Sequence, residues 1–525
     1  LPGLHDFRLK LDNALSILRV GVRDLPVNLS PGTAVTDSEK QAVELLFESL
    51  IKLSYDPDLG QHYVAGLAEG RPRLISQGRQ FQLDHDAYWS NEKPITVADV
   101  RNTVALLKNR KWDGHNPAWA DLIENVPVGA DPYRINVTLR QGFFDPLSLM
   151  TFKVLPLEPW PSHALTTADE VRFAQHPVGS GPYQLQGPGQ TKSGRPYVAF
   201  TANPSYGSRA RKADLPRIHE IQFFQAADPI KDLQTGDLDL IVDLPTDKVK
   251  AAQGLGNVKV LPPLPNRRIW FLAVNNRQRE LQNQELRKAL AHAIDREKIL
   301  NEVFRADLGP AVHKALNGPY PAGSWACDAG LRYNHDVARR GIKKAEEAGI
   351  KSGIHLTLKY PNDDPRVEQA TKSIKEQVAK EIGVTLDLQA LPPRELHDSV
   401  EGSHNYQLAY YHYDFPSEAY WLWPLFDPRA VDDGGTNYLG YHNDSRLESL
   451  FQQVMGHCDF EQVRKSTQAL HQLLFEKMPL IPLWQLDTHI AKAKDLKFDP
   501  VAPDVVRFDP VLVFTDVDQW RIEKK

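Results

Sequence analysis

The stretch that most restricts the fold is IHLTLKYPNDDPRVEQATKSIKEQVAKEIGVTLDLQAL, residues 354–391. Its first seven residues read as a strand. The next segment sets Val367, Ala370, Ile374 and Val378 on one helical stripe, with Gly383 as the expected C-terminal stop and a second strand beyond it. A strand–helix–strand unit of this length packs as a right-handed parallel crossover in nearly all cases. IHEIQFF, a short helical turn ending at Gly236, and DLDLIV repeat the order. Strands and helices alternate elsewhere too. SILRVGV (16–22) and YRINVTL, with Ile135, Val137 and Leu139 alternating, read as strands. TDSEKQAVELLFESLI places Val43, Leu46, Phe47 and Leu50 on one helical face. TVADVRNTVALLKN opens with Thr96 and Asp99 in capping-box spacing, and DFEQVRKSTQALHQLLFEKMP is a helix begun by Asp459 and halted before Pro479. The fold class is mixed α/β.

A chain of 525 residues exceeds the size at which one core divides, so two or three lobes are expected. With 41% hydrophobic and 25% charged residues the composition is globular and argues against global disorder. Sixty-two basic against sixty-seven acidic residues, a net charge of −5, is a poor footprint for a nucleic-acid binder. No apolar run reaches bilayer length. The chain starts at Leu1, the start that an export signal would leave after removal, as would a domain cut from a larger protein. Cys327 and Cys458, the only cysteines, are compatible with one disulfide without requiring it, and make no zinc pattern.

Catalytic signatures are absent. VGSGPY around Ser180 has Val178 where a nucleophile elbow needs glycine, so a glycine turn is the better reading. GPGQTKSG lacks the Gly-Lys of a phosphate loop, and there is no H-E-x-x-H. LDHDAYWSNE lacks the glycine of a calcium loop. The expectation is no enzyme, no metal and no cofactor.

YYHYDFPSEAYWLWPLF, residues 410–426, gathers eight aromatic side chains around Asp414, with no lysine to answer its charge. Two readings stand. Asp414 shapes a turn before Phe415-Pro416 through its own backbone hydrogen bonds, or it awaits a cation that the chain does not supply. The aromatic residues are likewise core packing or pocket walls.

A resemblance bears on that choice. LAVNN (272–276) followed by LRKALAHAIDREKI resembles the most recognisable segment of the extracytoplasmic solute-binding proteins of the peptide/nickel ABC-transporter family. FQLDHDAYWSNEKPITVADV, HPVGSGPYQL, LQTGDLDLI, RYNHDVARRGIKKAEEAGI and EKMPLIPLWQ are similar to further segments of that family, in its order. Asn91-Glu92 and Ser180 depart from the family's usual residues.

The resemblance implies a bilobal, periplasmic-binding-protein-like α/β fold of three structural domains. A discontinuous first lobe would comprise 1–52, 178–273 and 483–525, an inserted small domain 53–177, and a second large lobe 274–482. Two crossing segments would form the hinge, near Trp270–Asn276 and Pro479–Gln485. It further implies a monomer, exported with its signal removed to the periplasm or the extracytoplasmic membrane surface, that captures oligopeptides or dipeptides by hinge closure and presents them to an ABC permease. In peptide-binding relatives an aspartate in a segment like YHYDFP pairs with the ligand's α-ammonium, which places Asp414 at the ligand with Tyr411, Tyr413, Trp421 and Trp423 beside it. Pro416 comes sooner than the family pattern. An oligosaccharide on the tryptophan faces, a nickel complex, a sensor role or a hydrolase are the alternatives. On the peptide reading, Asp414→Ala abolishes high-affinity peptide binding.

Overall fold

The computed structural model describes residues 16–56, 60–108, 118–158, 167–209, 212, 215–264, 267–328, 330, 332–498 and 511–523. The chain forms two compact units, one of Leu1–Gln141, Pro146–Leu264 and Thr488–Lys525, the other of Gly142–Asp145 and Pro265–Asp487.

In the first unit a seven-stranded sheet runs in the order Val258–Leu264, Thr488–Ala493, Leu240–Ile241, Ile17–Val22, Glu220–Gln225, Pro196–Ala202, Tyr183–Gln190. Ile17–Val22 lies parallel to both Glu220–Gln225 and Leu240–Ile241. The crossover between those two is the helix Pro229–Thr235, ended by Gly236 in the left-handed region that glycine adopts without cost. A separate four-stranded sheet orders Ala68–Ile75, Gly78–Leu83, Arg134–Leu139 and Ile123–Asn125. Ile135, Val137 and Leu139 are all buried, as their alternation predicts. The helix expected over 36–51 stops at Leu46, and Ile51 opens a strand instead. The chain turns there because Gly179 and Gly181 press against it. A Cβ on Gly179 would fall 1.9 Å from the Leu46 carbonyl oxygen, and the Gly181 N–H donates to that same oxygen at 2.8 Å.

The second unit is built on a six-stranded sheet ordered Lys314–Ala315, Leu480–Gln485, Arg268–Val274, Leu408–Asp414, His355–Pro361, Thr385–Leu391. The crossover that dominated the sequence is present, with His355–Pro361 and Thr385–Leu391 parallel neighbours and helix Pro365–Ile382 between them. Its stripe of Val367, Ala370, Ile374 and Val378 joins Leu286, Ala289 and Leu290 of helix Gln284–Ala293 in one core over the sheet.

Trp270–Asn276 and Pro479–Gln485, expected as hinge crossings, form central strands of this sheet instead. The chain passes between units at Leu264/Pro265 and Asp487/Thr488. Residues 53–141 and 146–177 belong to the first unit. The paired asparagines explain why Arg268–Val274 ends inside the unit. Asn275 Nδ2 donates to the carbonyls of His404 and Tyr406, both at 2.9 Å. Asn276 Nδ2 donates to those of Val274, Leu439 and Pro479 at 3.0–3.1 Å. The two buried arginines of the same segment likewise hold carbonyls. Arg287 bonds to those of Leu281, Gln282, Lys477 and Met478, and Arg296 to those of Ala291, Ile294 and Pro482. Burial without a carboxylate brings the Arg287 guanidinium down to about 10. The segment most recognisable in sequence is thus a clamp for backbone groups that would otherwise be buried unbonded.

Two outcomes follow. Asn276→Leu leaves buried carbonyls without their donor and should lower stability by about 1–3 kcal/mol, read from the urea midpoint; an unchanged midpoint would contradict the clamp. His292 is buried beside Arg296, Lys288 and His335, and its Nδ1 accepts from the Asn334 N–H at 2.9 Å. Burial, then those charges, lower its pKa from 6.5 to about 4. The unfolded chain therefore takes up the proton first, so stability held above pH 6.5 is lost as pH falls toward 4. His292→Gln should flatten the decline of Tm over that interval; an unaltered slope would assign it elsewhere.

Candidate functional site

Residues 267–270 and 412–415 lie at one end of two neighbouring antiparallel strands, and the pairing sets Arg268 opposite Asp414, Ile269 opposite Tyr413 and Trp270 opposite His412. Because successive side chains of a strand point to opposite faces, this end of the sheet carries two distinct sets of groups.

On one face Arg268 Nε donates to Asp414 Oδ1 at 2.6 Å and Nη2 to Oδ2 at 3.0 Å. This two-pronged pair is geometrically the strongest kind of side-chain contact. Arg268 is 8% exposed and Asp414 22%. The Trp270 ring lies beneath, with the guanidinium carbon 5.9 Å from its centroid, the His412 ring 5.0 Å away and the Tyr410 ring stacked at 5.0 Å. His412 Nε2 is 3.7 Å from Asp414 Oδ2. Tyr410 is fully in the core and receives the Trp484 indole N–H at 2.9 Å.

On the other face, Tyr411 is buried, donates its hydroxyl to Glu401 Oε1 at 2.6 Å and lies 3.0 Å from His397 Nδ1. Its ring meets Tyr438 edge-on. Tyr413 packs edge-on against Phe415 and donates to the Trp421 carbonyl at 3.0 Å. Trp421 and Trp423 are 7% and 6% exposed, and neither indole N–H has a hydrogen-bond partner among the described residues. Trp423 begins the short 3₁₀ turn Trp423–Phe426, while Trp421 precedes it and packs near Phe143.

The five residues singled out in the sequence are therefore not one constellation. Asp414 stands apart from Tyr411 and Tyr413 by the pleat of the strand, and the positive charge missing from its own segment is supplied by Arg268. That partner sits 146 residues earlier, and only strand pairing brings it near. The signal that was available is the doubled arginine of NRRIW, since consecutive residues at a strand's start point to opposite faces and only one can meet Asp414.

The motifs set aside on sequence grounds have structural roles here. Ser180 is fully buried and its Oγ accepts from the Glu48 N–H at 3.2 Å. Residues 191–195 form a hairpin turn, with the Thr191 N–H donating to the Arg195 carbonyl at 2.9 Å. Cys327 and Cys458 are free thiols. Among the described residues there is no group of three or more His, Cys, Asp or Glu placed to hold a metal ion.

Breaking the Arg268–Asp414 pair has a structural consequence independent of any ligand. Asp414→Ala strips a buried guanidinium of its carboxylate and should cost about 3–5 kcal/mol, whereas Arg268→Leu with Asp414→Leu should cost far less. Equal losses in the single and double variants, by chemical denaturation, would mean that the pair is not the interaction that matters.

Comparison with known proteins shows the family and the fold. Residues 62–433 match the bacterial extracellular solute-binding proteins, family 5 middle. The probable D,D-dipeptide-binding periplasmic protein DdpA of Escherichia coli (strain K12) is 24% identical over 510 residues, which cover 93% of this chain and 93% of DdpA. The oligopeptide-binding protein AppA of Bacillus subtilis, solved in complex with a nonapeptide, superposes with a TM-score of 0.80 at 19% identity, over 97% of this chain and 99% of AppA. AgaA, solved in complex with agropinic acid (A. tumefacien R10), gives 0.79 at 18% identity over 97% and 99%. The α/β fold is common to them along the whole chain.

Proposed function

The chain belongs to the bacterial extracellular solute-binding proteins of family 5, and from that premise we propose that it captures short peptides for an ABC importer. The family is one of binding proteins rather than enzymes. DdpA is named for dipeptide binding and AppA was solved with a nonapeptide; both favour a peptide over an unrelated solute. Delivery to a membrane permease by a single copy of the chain, outside the cytoplasmic membrane, belongs to the same proposal. So does a hinge movement about the crossings at 264/265 and 487/488. No helix among the described residues is long and apolar enough to cross a membrane.

The observation that carries the peptide reading is the state of Asp414. The Arg268 fork holds both of its oxygens, yet the side chain is 22% exposed at a strand end, beside Trp270 and His412. A ligand ammonium that approaches this exposed edge would share Asp414 with Arg268 instead of displacing it. Because the charge is already half answered, the ammonium gains less than it would from a lone carboxylate. The oligosaccharide reading loses its support, since the tryptophan faces on which it relied are buried.

Calorimetry with free and N-acetylated forms of the same di- to tetrapeptides tests this. The free forms should bind about ten- to a hundredfold more tightly, the range of one charge-assisted hydrogen bond. Asp414→Asn, which keeps shape and removes charge, should erase the difference. Equal affinity for both forms in the unaltered protein would refute an ammonium at Asp414.

A further inference from the structure

His412 and Asp414 belong to one strand and, two residues apart, point to the same face. The imidazole Nε2 lies 3.7 Å from Asp414 Oδ2. Both side chains reach solvent, His412 at 26% exposure and Asp414 at 22%, whereas the guanidinium of Arg268 is covered. A cation within hydrogen-bond reach of Oδ2 is then no more than roughly 7 Å from Nε2, whatever its direction of approach. That separation is inside the distance over which salt screens charges. Imidazole changes its charge between about pH 5 and 8, so the ground that an incoming ammonium would meet depends on His412.

The surroundings of His412 hold charges of both signs. On its own strand Asp414 is the near one, and the Tyr411 ring lies 5.6 Å away between centroids. On the adjoining strand Arg268 is paired with Asp414, and the Trp270 ring meets the imidazole at 5.0 Å. His355–Pro361, the neighbour on the other side, runs parallel and leads to Asp363 and to Asp364, which pairs with Arg366 at 2.8 Å. Glu401 receives the hydroxyl of Tyr411, across the pleat. An imidazolium at position 412 is favoured by the Asp414 carboxylate and by the electron-rich Trp270 ring. Arg268 opposes it, although Asp414 already answers that charge.

From this arrangement we propose that His412 makes capture at Asp414 sensitive to protons. A solute ammonium occupies the exposed edge of the carboxylate while the imidazole is neutral. It is expelled when the imidazole is charged, because two cations then compete for one carboxylate that Arg268 already holds. The inference rests on the peptide-capture reading above and adds its regulation, tight capture at neutral pH and release in acid. The sign follows from linkage. A solute that prefers the neutral imidazole drives the proton off, so affinity is complete above the imidazole range and is lost as pH falls through it. The α-ammonium of a peptide, with an ordinary pKa near about 8, stays mostly charged throughout that fall.

Calorimetry tests this with free di- to tetrapeptides that have no titrating side chains. From pH 7.0 to 5.5 the unaltered protein should lose about three- to tenfold in affinity. Binding at pH 6.5, measured in two buffers of different ionisation enthalpy, should release a proton to the buffer. His412→Gln and His412→Asn are neutral throughout, so each should bind equally well at both ends of the interval, whatever its level, and release no proton. A constant affinity in the unaltered protein, or an equal decline in the variants, would overturn the inference while leaving peptide capture intact. The absence of proton release from the unaltered protein would overturn it even if neither variant folds. Peptides that fail to bind the unaltered protein at pH 7.0 would instead overturn the peptide reading, and this inference with it.

Discussion

The second unit depends on one strand. Arg268–Val274 pairs on one side with Leu408–Asp414 and on the other with Leu480–Gln485, so it joins parts of the chain well over a hundred residues apart. Its apolar centre buries Leu272 and Val274 in the core shared with the helices. Its C-terminal end is fastened by Asn275 and Asn276 to carbonyls of three other segments. Its N-terminal end carries the charges. A strand anchored so firmly at one end gives the other a fixed position, which a binding group requires if it is not to lose affinity to its own disorder.

At that charged end the pleat separates Arg268 from Arg267. The same alternation that buries every second residue of a strand gives two adjacent arginines opposite surroundings. One finds a carboxylate already in place and forms a neutral pair. The other lies within electrostatic reach of Tyr420, with two buried nitrogens that have no hydrogen-bond partner among the described residues. The contrast is physical rather than a matter of residue type, because both side chains have the same donors and nearly the same burial. Asp414 is the counter-charge of Arg268 and, on the proposed function, the carboxylate that a ligand ammonium would share.

Much of this was legible in the sequence and some was not, for reasons that particular residues show. The crossover through Val367–Val378, the strand of Ile135, Val137 and Leu139, the stop at Gly383 and the cap at Asp459 rest on local spacing, and local spacing reads well. The helix over 36–51 was read too long because its end is set by glycines at 179 and 181, far away in the chain. The hinge was placed on Trp270–Asn276 because its residues resemble the family segment, whereas the hydrogen bonds of Asn275 and Asn276 put that strand inside one unit. Asp414 was singled out for its aromatic company, but Tyr411 and Tyr413 could not be separated from it without knowing the strand. Arg268 and Arg267 went unnoticed because nothing near them in sequence carries a negative charge.

The most direct test of the account is the identity of the small molecules released when protein purified from its own host is denatured, read by mass spectrometry. A peptide ligand whose ammonium shares Asp414 must carry a free amine, so the account predicts short peptides with unblocked N-termini. Release of uncharged sugars, or of solutes lacking an amine, would contradict it.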